Sequence, residues 1–150
     1  LILRFFVPGR PVPKQSFRAG PRPWQPKRVT EYAGRVRCVA TAAAHRDGWL
    51  QPAPDVPIKV VIRFGFARPK NARKSERDRT SLRITVPDVD NVTKAVLDPC
   101  SVLWPDDRQV CVIECIKLTV PRSEEGVTIT VETLDCENYQ SEIISRFSKG

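Results

Sequence analysis

Ile58-Lys59-Val60-Val61-Ile62-Arg63-Phe64-Gly65-Phe66 is the stretch whose reading decides the fold class. Ile58, Val60, Ile62, Phe64 and Phe66 occupy alternate positions, with Lys59, Val61 and Arg63 between them. Side chains of an extended chain alternate between faces, so this pattern predicts a β-strand with one face on a core. On its N-terminal side, Gly48 and the prolines at 52, 54 and 57 interrupt regular structure. Before them, Tyr32, Val36, Val39, Ala40 and Ala43 recur at three- and four-residue spacing. That spacing predicts a helix capped by Thr30 and running to about Ala44 or Arg46. Residues 8–29 contain Pro8, Pro11, Pro13, Pro21, Pro23 and Pro26, a density that predicts an extended arm. Leu1–Val7 reads as a strand ended by Pro8.

On the C-terminal side, residues 68–83 are polar and basic without periodicity, and predict a mobile loop that orders on nucleic acid. Asp88 to Leu97 predicts a short helix that begins near Asp90, turns Val92, Ala95 and Val96 inward, and ends at Pro99. Two strands follow, about Val110–Thr119 and Val127–Thr133, read as a hairpin through the turn Ser123–Gly126. Residues 137–150 form a short helix or a frayed tail. The order β-α-β-loop-α-β-β predicts an α+β fold with a mixed sheet, one domain over 1–136 and a tail over 137–150. A doubly wound parallel sheet needs more alternating helices.

The 150 residues carry a net charge of +8, unevenly placed. Residues 1–40 hold nine Lys or Arg against Glu31 alone, whereas residues 84–110 hold five aspartates against Lys94 and Arg108. A basic front half suggests a polyanionic partner. Clustered carboxylates repel one another unless a cation lies between them. No apolar run approaches the roughly 20 residues of a membrane helix. Leu1–Val7 is short, is interrupted by Arg4 and precedes no A-x-A-like site, so a secretory leader is not expected. The five cysteines are odd in number and lack a C-x-x-C pair, which argues against a disulfide framework or zinc site and for a reduced, cytoplasmic setting. His45, the single histidine, sits at a predicted helix end, and no serine–histidine arrangement suggests nucleophilic catalysis.

The sharpest chemical feature is Pro87-Asp88-Val89-Asp90-Asn91-Val92-Thr93-Lys94. In extended chain a D-x-D pair directs both carboxylates to one side, and magnesium takes hard oxygen ligands. Lys94 lies four residues past Asp90, on the same helix face and about 6 Å along the axis. From there a lysine can pair with a carboxylate, position water or meet the charge on a transferring phosphate. The same aspartates can equally be ordinary helix caps. Fourteen residues past Asp90, Trp104-Pro105-Asp106-Asp107-Arg108-Gln109-Val110 brings a second acidic pair, either a charged turn or the source of a third ligand. Asp98, four residues past Lys94, reads as its surface i,i+4 partner.

Taken together, Pro87-Asp88-Val89-Asp90-Asn91-Val92-Thr93-Lys94-Ala95-Val96-Leu97-Asp98 and Val102-Leu103-Trp104-Pro105-Asp106-Asp107-Arg108-Gln109-Val110 resemble the signature of the RusA family of Holliday junction resolvases. Gly9-Arg10-Pro11-Val12-Pro13-Lys14-Gln15 and Pro26-Lys27-Arg28-Val29-Thr30-Glu31-Tyr32 are similar to the family's opening. The resemblance implies that Asp88, Asp90 and Asp107 bind a divalent cation, expected to be magnesium; whether manganese substitutes is left open by the sequence. It implies that Lys94 is catalytic and that Asp106 lies beside the site; spacing alone does not separate Asp106 from Asp107. It further implies a homodimer that cuts four-way DNA junctions to 5′-phosphate and 3′-hydroxyl ends, in a bacterial or phage setting, with no small-molecule substrate. One departure stands out. Pro99-Cys100-Ser101 replaces the family's Leu-Asn-Gly-like helix close and is one residue shorter, which predicts an earlier helix end and a shifted register between Lys94 and Asp107.

Arg10, Lys14, Arg18, Lys27 and Arg28, with Lys70, Arg73, Lys74, Arg77 and Arg79 of the 68–83 loop, are candidates to hold DNA phosphates, contacts that position without reading sequence. Phe17, Trp24 and Trp104 either stack at an opened junction or pack in the core. A four-way junction is two-fold symmetric, and a C2 dimer supplies two sites with matching symmetry. Two other classes compete: a protein of the same fold that grips branched DNA without cutting, and a nucleotide-sugar transferase, which also uses D-x-D but needs a nucleotide-binding half.

Overall fold

A computed structural model describes residues 1–14 and 26–148. Arg18, Phe17 and Trp24 lie outside the described residues. The strands are β1 (Ile2–Pro8), β2 (Ile58–Ala67), β3 (Ser81–Leu82), β4 (Val110–Val120) and β5 (Gly126–Thr133); the helices are α1 (Lys27–Arg46), α2 (Val89–Cys100) and α3 (Cys136–Phe147). One mixed sheet runs in the order β1-β5-β2-β4-β3. β2 is parallel to β4 and antiparallel to β5; the other pairs are antiparallel. The α+β class and single mixed sheet thus stand as the sequence predicts.

Alternation builds the core. Leu3, Phe5 and Val7 of β1, Ile58 through Phe66 at alternate positions of β2, and Val127, Ile129 and Val131 of β5 are buried. They meet Tyr32, Val36, Ala40 and Ala43 of α1 and Val92, Ala95, Val96 and Cys100 of α2. Each fully buried apolar side chain of this size contributes about 1.5–3 kcal/mol relative to exposure.

Several local expectations are corrected. β4 and β5 are not a hairpin: β2 lies between them and pairs with both. Their connection carries a 3-10 turn, Arg122–Glu124, and crosses the end of β2. Gly65 permits this crossing, because a Cβ there would lie 3.0 Å from both the Glu124 carbonyl oxygen and Val120 Cγ2. Glu125 then closes the strand end by accepting the Ala67 amide at 2.8 Å. α1 begins at Lys27, one turn before Thr30. Pro26 sits in extended conformation just ahead of the first turn, and its carbonyl accepts the Val29 and Thr30 amides. There its missing N–H costs nothing.

α2 does not stop at Pro99. It runs through to Cys100 and passes into a 3-10 turn, Ser101–Leu103. A proline in the last turn removes only the bond to the carbonyl four residues earlier. The basic stretch 68–83 is built from turns, with a 3-10 turn at Lys74–Glu76 and the edge strand β3 on β4 through Ser81↔Thr119 and Leu82↔Leu118. Residues 136–147 are helical. All five cysteines are free. Among the described residues no helix is long and apolar enough to cross a membrane.

Candidate nuclease site

The site assembles from the start of α2 and the segment between α2 and β4. Asp88 is the N-cap residue of α2, at φ −66° and ψ 145°, while Val89 and Asp90 are already helical. The simple alternation expected of an extended D-x-D pair therefore does not apply. Capping does not account for Asp88 either, because its side chain makes no capping hydrogen bond at the α2 N-terminus among the described residues. Asp90 lies in the first helical turn, where the helix dipole favours negative charge. Both carboxylates are exposed.

The backbone that presents Asp88 is held from two sides. Lys117 of β4 donates to the carbonyls of Thr85 at 2.9 Å and Pro87 at 2.5 Å. Arg83 donates from Nε and Nη2 to the Val86 carbonyl at 3.1 and 2.8 Å. Within the helix, Thr93 turns its hydroxyl to Cys115 of β4 and anchors α2 on the sheet. Neither Lys117 nor Arg83 carries a local motif; tertiary contact alone reveals them.

The second acidic pair separates cleanly. Asp106 caps a 3-10 turn, Asp107–Gln109, and takes the Arg108 amide at 2.8 Å and its guanidinium at 2.6–3.1 Å. The Arg108 side chain is the main reason the Asp106 carboxyl is pulled down to about 2. Asp107 faces the other way. It accepts the Trp104 indole N–H on Oδ1 at 2.9 Å and, with Lys94, Leu97, Asp98, Trp104, Val110 and Ile113, lines a cavity of about 250 Å3. Lys94 and Asp107 thus share one cavity despite the proline near the end of α2. Trp104 is 3% exposed, so it packs in the core and positions Asp107; it does not present a stacking surface.

Sequence spacing gave no sign of what holds this segment in place. Gln109, 5% exposed, donates to the carbonyls of Ala53 at 2.8 Å and Val56 at 2.9 Å and accepts the Asp106 amide at 3.1 Å. Trp49 and Gln51 donate to the Leu103 and Val102 carbonyls. The proline-rich connection between α1 and β2, which reads in sequence only as a helix breaker, is the cradle of the second acidic motif.

Asp98 does not pair with Lys94. Its partner is Lys14, whose backbone amide also donates to the Asn91 carbonyl at 3.0 Å, so the N-terminal arm lies along α2. Lys14, a candidate phosphate contact, is already engaged. Of the other candidates, Lys27 is exposed and faces Glu31 at 3.6 Å, and Arg28 is exposed beside it. Lys70 and Arg77 line a cavity of about 480 Å3 with Arg68 and Arg122, while Arg73, Lys74 and Arg79 are exposed around it. Arg10 follows β1 and lies over the Phe66 ring.

Of the five aspartates between 88 and 107, Asp98 and Asp106 carry cationic partners, whereas Asp88, Asp90 and Asp107 have no ion-pair partner among the described residues. Among the described residues no three His, Cys, Asp or Glu side chains stand together as a metal-ligand group. The geometry joins Asp107 to Lys94 and leaves Asp88 and Asp90 exposed at the neighbouring helix start.

No curated protein matches the chain. The family model described as endodeoxyribonuclease RusA matches residues 8–132, which spans both acidic motifs, β2 to β4 and all of β5 but Thr133, and takes in only Pro8 of β1. The chain belongs to the RusA endodeoxyribonuclease family.

Proposed function

We propose that the chain is a magnesium-dependent endonuclease that resolves four-way DNA junctions, with Asp88, Asp90 and Asp107 as the cation ligands and Lys94 at the scissile phosphate. RusA-family membership supplies the nuclease class. The observation that supports this ligand set is the pairing pattern: the two other aspartates are neutralised by Lys14 and Arg108, and these three are not. Three hard, water-exposed carboxylates fit a cation that keeps part of its hydration shell. A cation held by Asp88, Asp90 and Asp107 would offset the mutual repulsion of their carboxylates.

When bound, magnesium supplies a Lewis acid for the phosphodiester oxygens. The chain's own residues do the rest. Trp104 holds one oxygen of Asp107 and leaves the other for the cation. Lys94, in the same cavity, brings an ammonium to the charge that develops on the transferring phosphate. Lys117 and Arg83 hold the 85–87 backbone that presents Asp88. Water adds to phosphorus and the strand leaves as a 3′-hydroxyl, with the 5′-phosphate on the other product. Manganese can occupy the same oxygen ligands. Arg10, Lys27, Arg28, Lys70, Arg73, Lys74, Arg77 and Arg79 supply phosphate contacts around the site. Two matched cuts in a two-fold symmetric junction call for a homodimer; exposed Ile2 and Phe6 on the edge strand β1 offer apolar surface for one.

The test is cleavage of a synthetic four-way junction beside linear duplex and flap DNA, with magnesium. Wild type should cut the junction preferentially. Asp90→Asn should bind it undiminished and cut it at least 100-fold more slowly, on the order of 3 kcal/mol of lost transition-state stabilisation. A wild type that binds junctions but never cuts them makes the chain a binding protein instead.

A further inference from the structure

Arg10 and Arg83, 73 positions apart in sequence, bring their guanidinium carbons to 5.8 and 4.6 Å from the centroid of one ring, Phe66. Phe66 ends the core face of β2 and is fully buried, so the two cations lie over it as a lid. A cation over an aromatic face is stabilised there, but two cations at one ring also repel. Burial holds the Arg83 guanidinium below its ordinary range and the Arg10 charge adds to that effect. No carboxylate relieves the pair among the described residues: neither arginine takes part in an ion pair. Arg83 spends Nε and Nη2 on the Val86 carbonyl and keeps Nη1 free, whereas Arg10 has no hydrogen-bond partner among the described residues.

The pair is also well placed. Arg83 lies five residues before Asp88 and grips the segment that presents it. Arg10 begins the arm whose Lys14 reaches the first turn of α2. An anion seated between the two guanidiniums therefore lies beside the D-x-D motif. Planar guanidiniums take phosphate oxygens through parallel N–H donors, and Arg suits this task better than Lys. We propose that Arg10 and Arg83, seated on Phe66, form a subsite for one backbone phosphate of the DNA strand that enters the D-x-D site. The proposal rests on the nuclease reading above. It differs from a general basic surface in that both arginines serve the same phosphate.

Arg10→Gln is the informative variant, because Arg10 has no polar partner within the described chain and its loss leaves the 83–88 segment held. Binding of a synthetic four-way junction is followed by fluorescence anisotropy in EDTA across a KCl series, using the whole chain. The variant should bind about tenfold more weakly, with a salt slope about one unit shallower. Junctions carrying a single neutral methylphosphonate, walked along the strand near the cut, locate the phosphate. At one position the substitution should cost wild type about tenfold and Arg10→Gln clearly less, because only Arg83 remains there to lose its phosphate charge. If every position weakens the two proteins by the same factor, the subsite does not exist, even though wild type still cuts the junction with magnesium. If wild type neither binds nor cuts the junction, the nuclease reading and the subsite fall together.

Discussion

Gln109→Leu tests whether the second acidic motif is positioned as described. Leucine has nearly the volume of glutamine and suits a residue 5% exposed, so the change removes polar contacts with little loss of burial. Three hydrogen bonds disappear: to the Ala53 carbonyl at 2.8 Å, to the Val56 carbonyl at 2.9 Å, and from the Asp106 amide at 3.1 Å. Ala53 is exposed and Val56 and Asp106 are half-buried, so water can reach the freed groups. Each bond is then worth about 1 kcal/mol, close to the net value of a neutral hydrogen bond, and the total loss is about 3 kcal/mol. For a chain of this size that lowers the melting temperature by about 10 °C. Urea unfolding followed by circular dichroism gives the number, with the midpoint falling and the slope unchanged. Because the same bonds fix the turn that carries Asp107, cleavage should fall well below wild type at a temperature where the variant is folded. Junction binding without magnesium should hold. A stability loss under about 1 kcal/mol would show that the turn is held by other contacts and that Gln109 is not its anchor.

Trp104→Phe removes the indole donor to Asp107 and keeps an aromatic ring in the buried slot; the magnesium concentration for half-maximal cleavage should rise about tenfold, as for loss of an outer-shell ligand contact, and an unchanged midpoint would exclude a positioning role. Asp106 should titrate near pH 2 by carboxyl NMR, because Arg108 favours its charged form. As its folded value is depressed, its contribution to stability is present above the ordinary aspartate range and lost as pH falls through about 2; Arg108→Gln should return the midpoint toward the ordinary value of about 3.9.

How much of this was legible in the sequence follows from which interactions are local. β2 and the face of α1 come directly from residue periodicity, and the buried set Tyr32, Val36, Ala40 and Ala43 matches the predicted stripe apart from half-buried Val39. The β4–β5 pairing does not. A turn signal at Ser123–Gly126 reports that the chain reverses, not which strand lies alongside. The clue was Gly65, whose missing side chain makes room for a crossing that no local pattern describes. The same limit governs the site. Motif spacing finds Asp88, Asp90, Lys94 and Asp107. It cannot find Gln109's partners more than 50 residues upstream, the clasp of Lys117 on the Pro87 carbonyl, or the bridge from Lys14 to Asp98. Each of these is a contact between elements that folding alone makes neighbours.

The bridge to Asp98 bears on how five aspartates within 20 residues come to offer one ligand set. Asp98 lines the cavity of Lys94 and Asp107, and a free carboxylate there would compete for any cation, or draw the Lys94 ammonium away from a phosphate. Lys14 occupies it instead. Asp106, adjacent in sequence to Asp107, would compete in the same way, and Arg108 occupies it while its cap turns it outward. Neutralising the two surplus carboxylates leaves Lys94 without an ion-pair partner among the described residues and the remaining negative charge on Asp88, Asp90 and Asp107. Selection of the ligands is in this sense an electrostatic subtraction made by cations on the arm and the 3-10 turn. On this argument Lys14→Gln should free Asp98 to pair with Lys94 and slow cleavage more than it weakens junction binding. A variant that lost binding and cleavage in equal measure would show Lys14 to be a phosphate contact, and the subtraction would fail at Asp98.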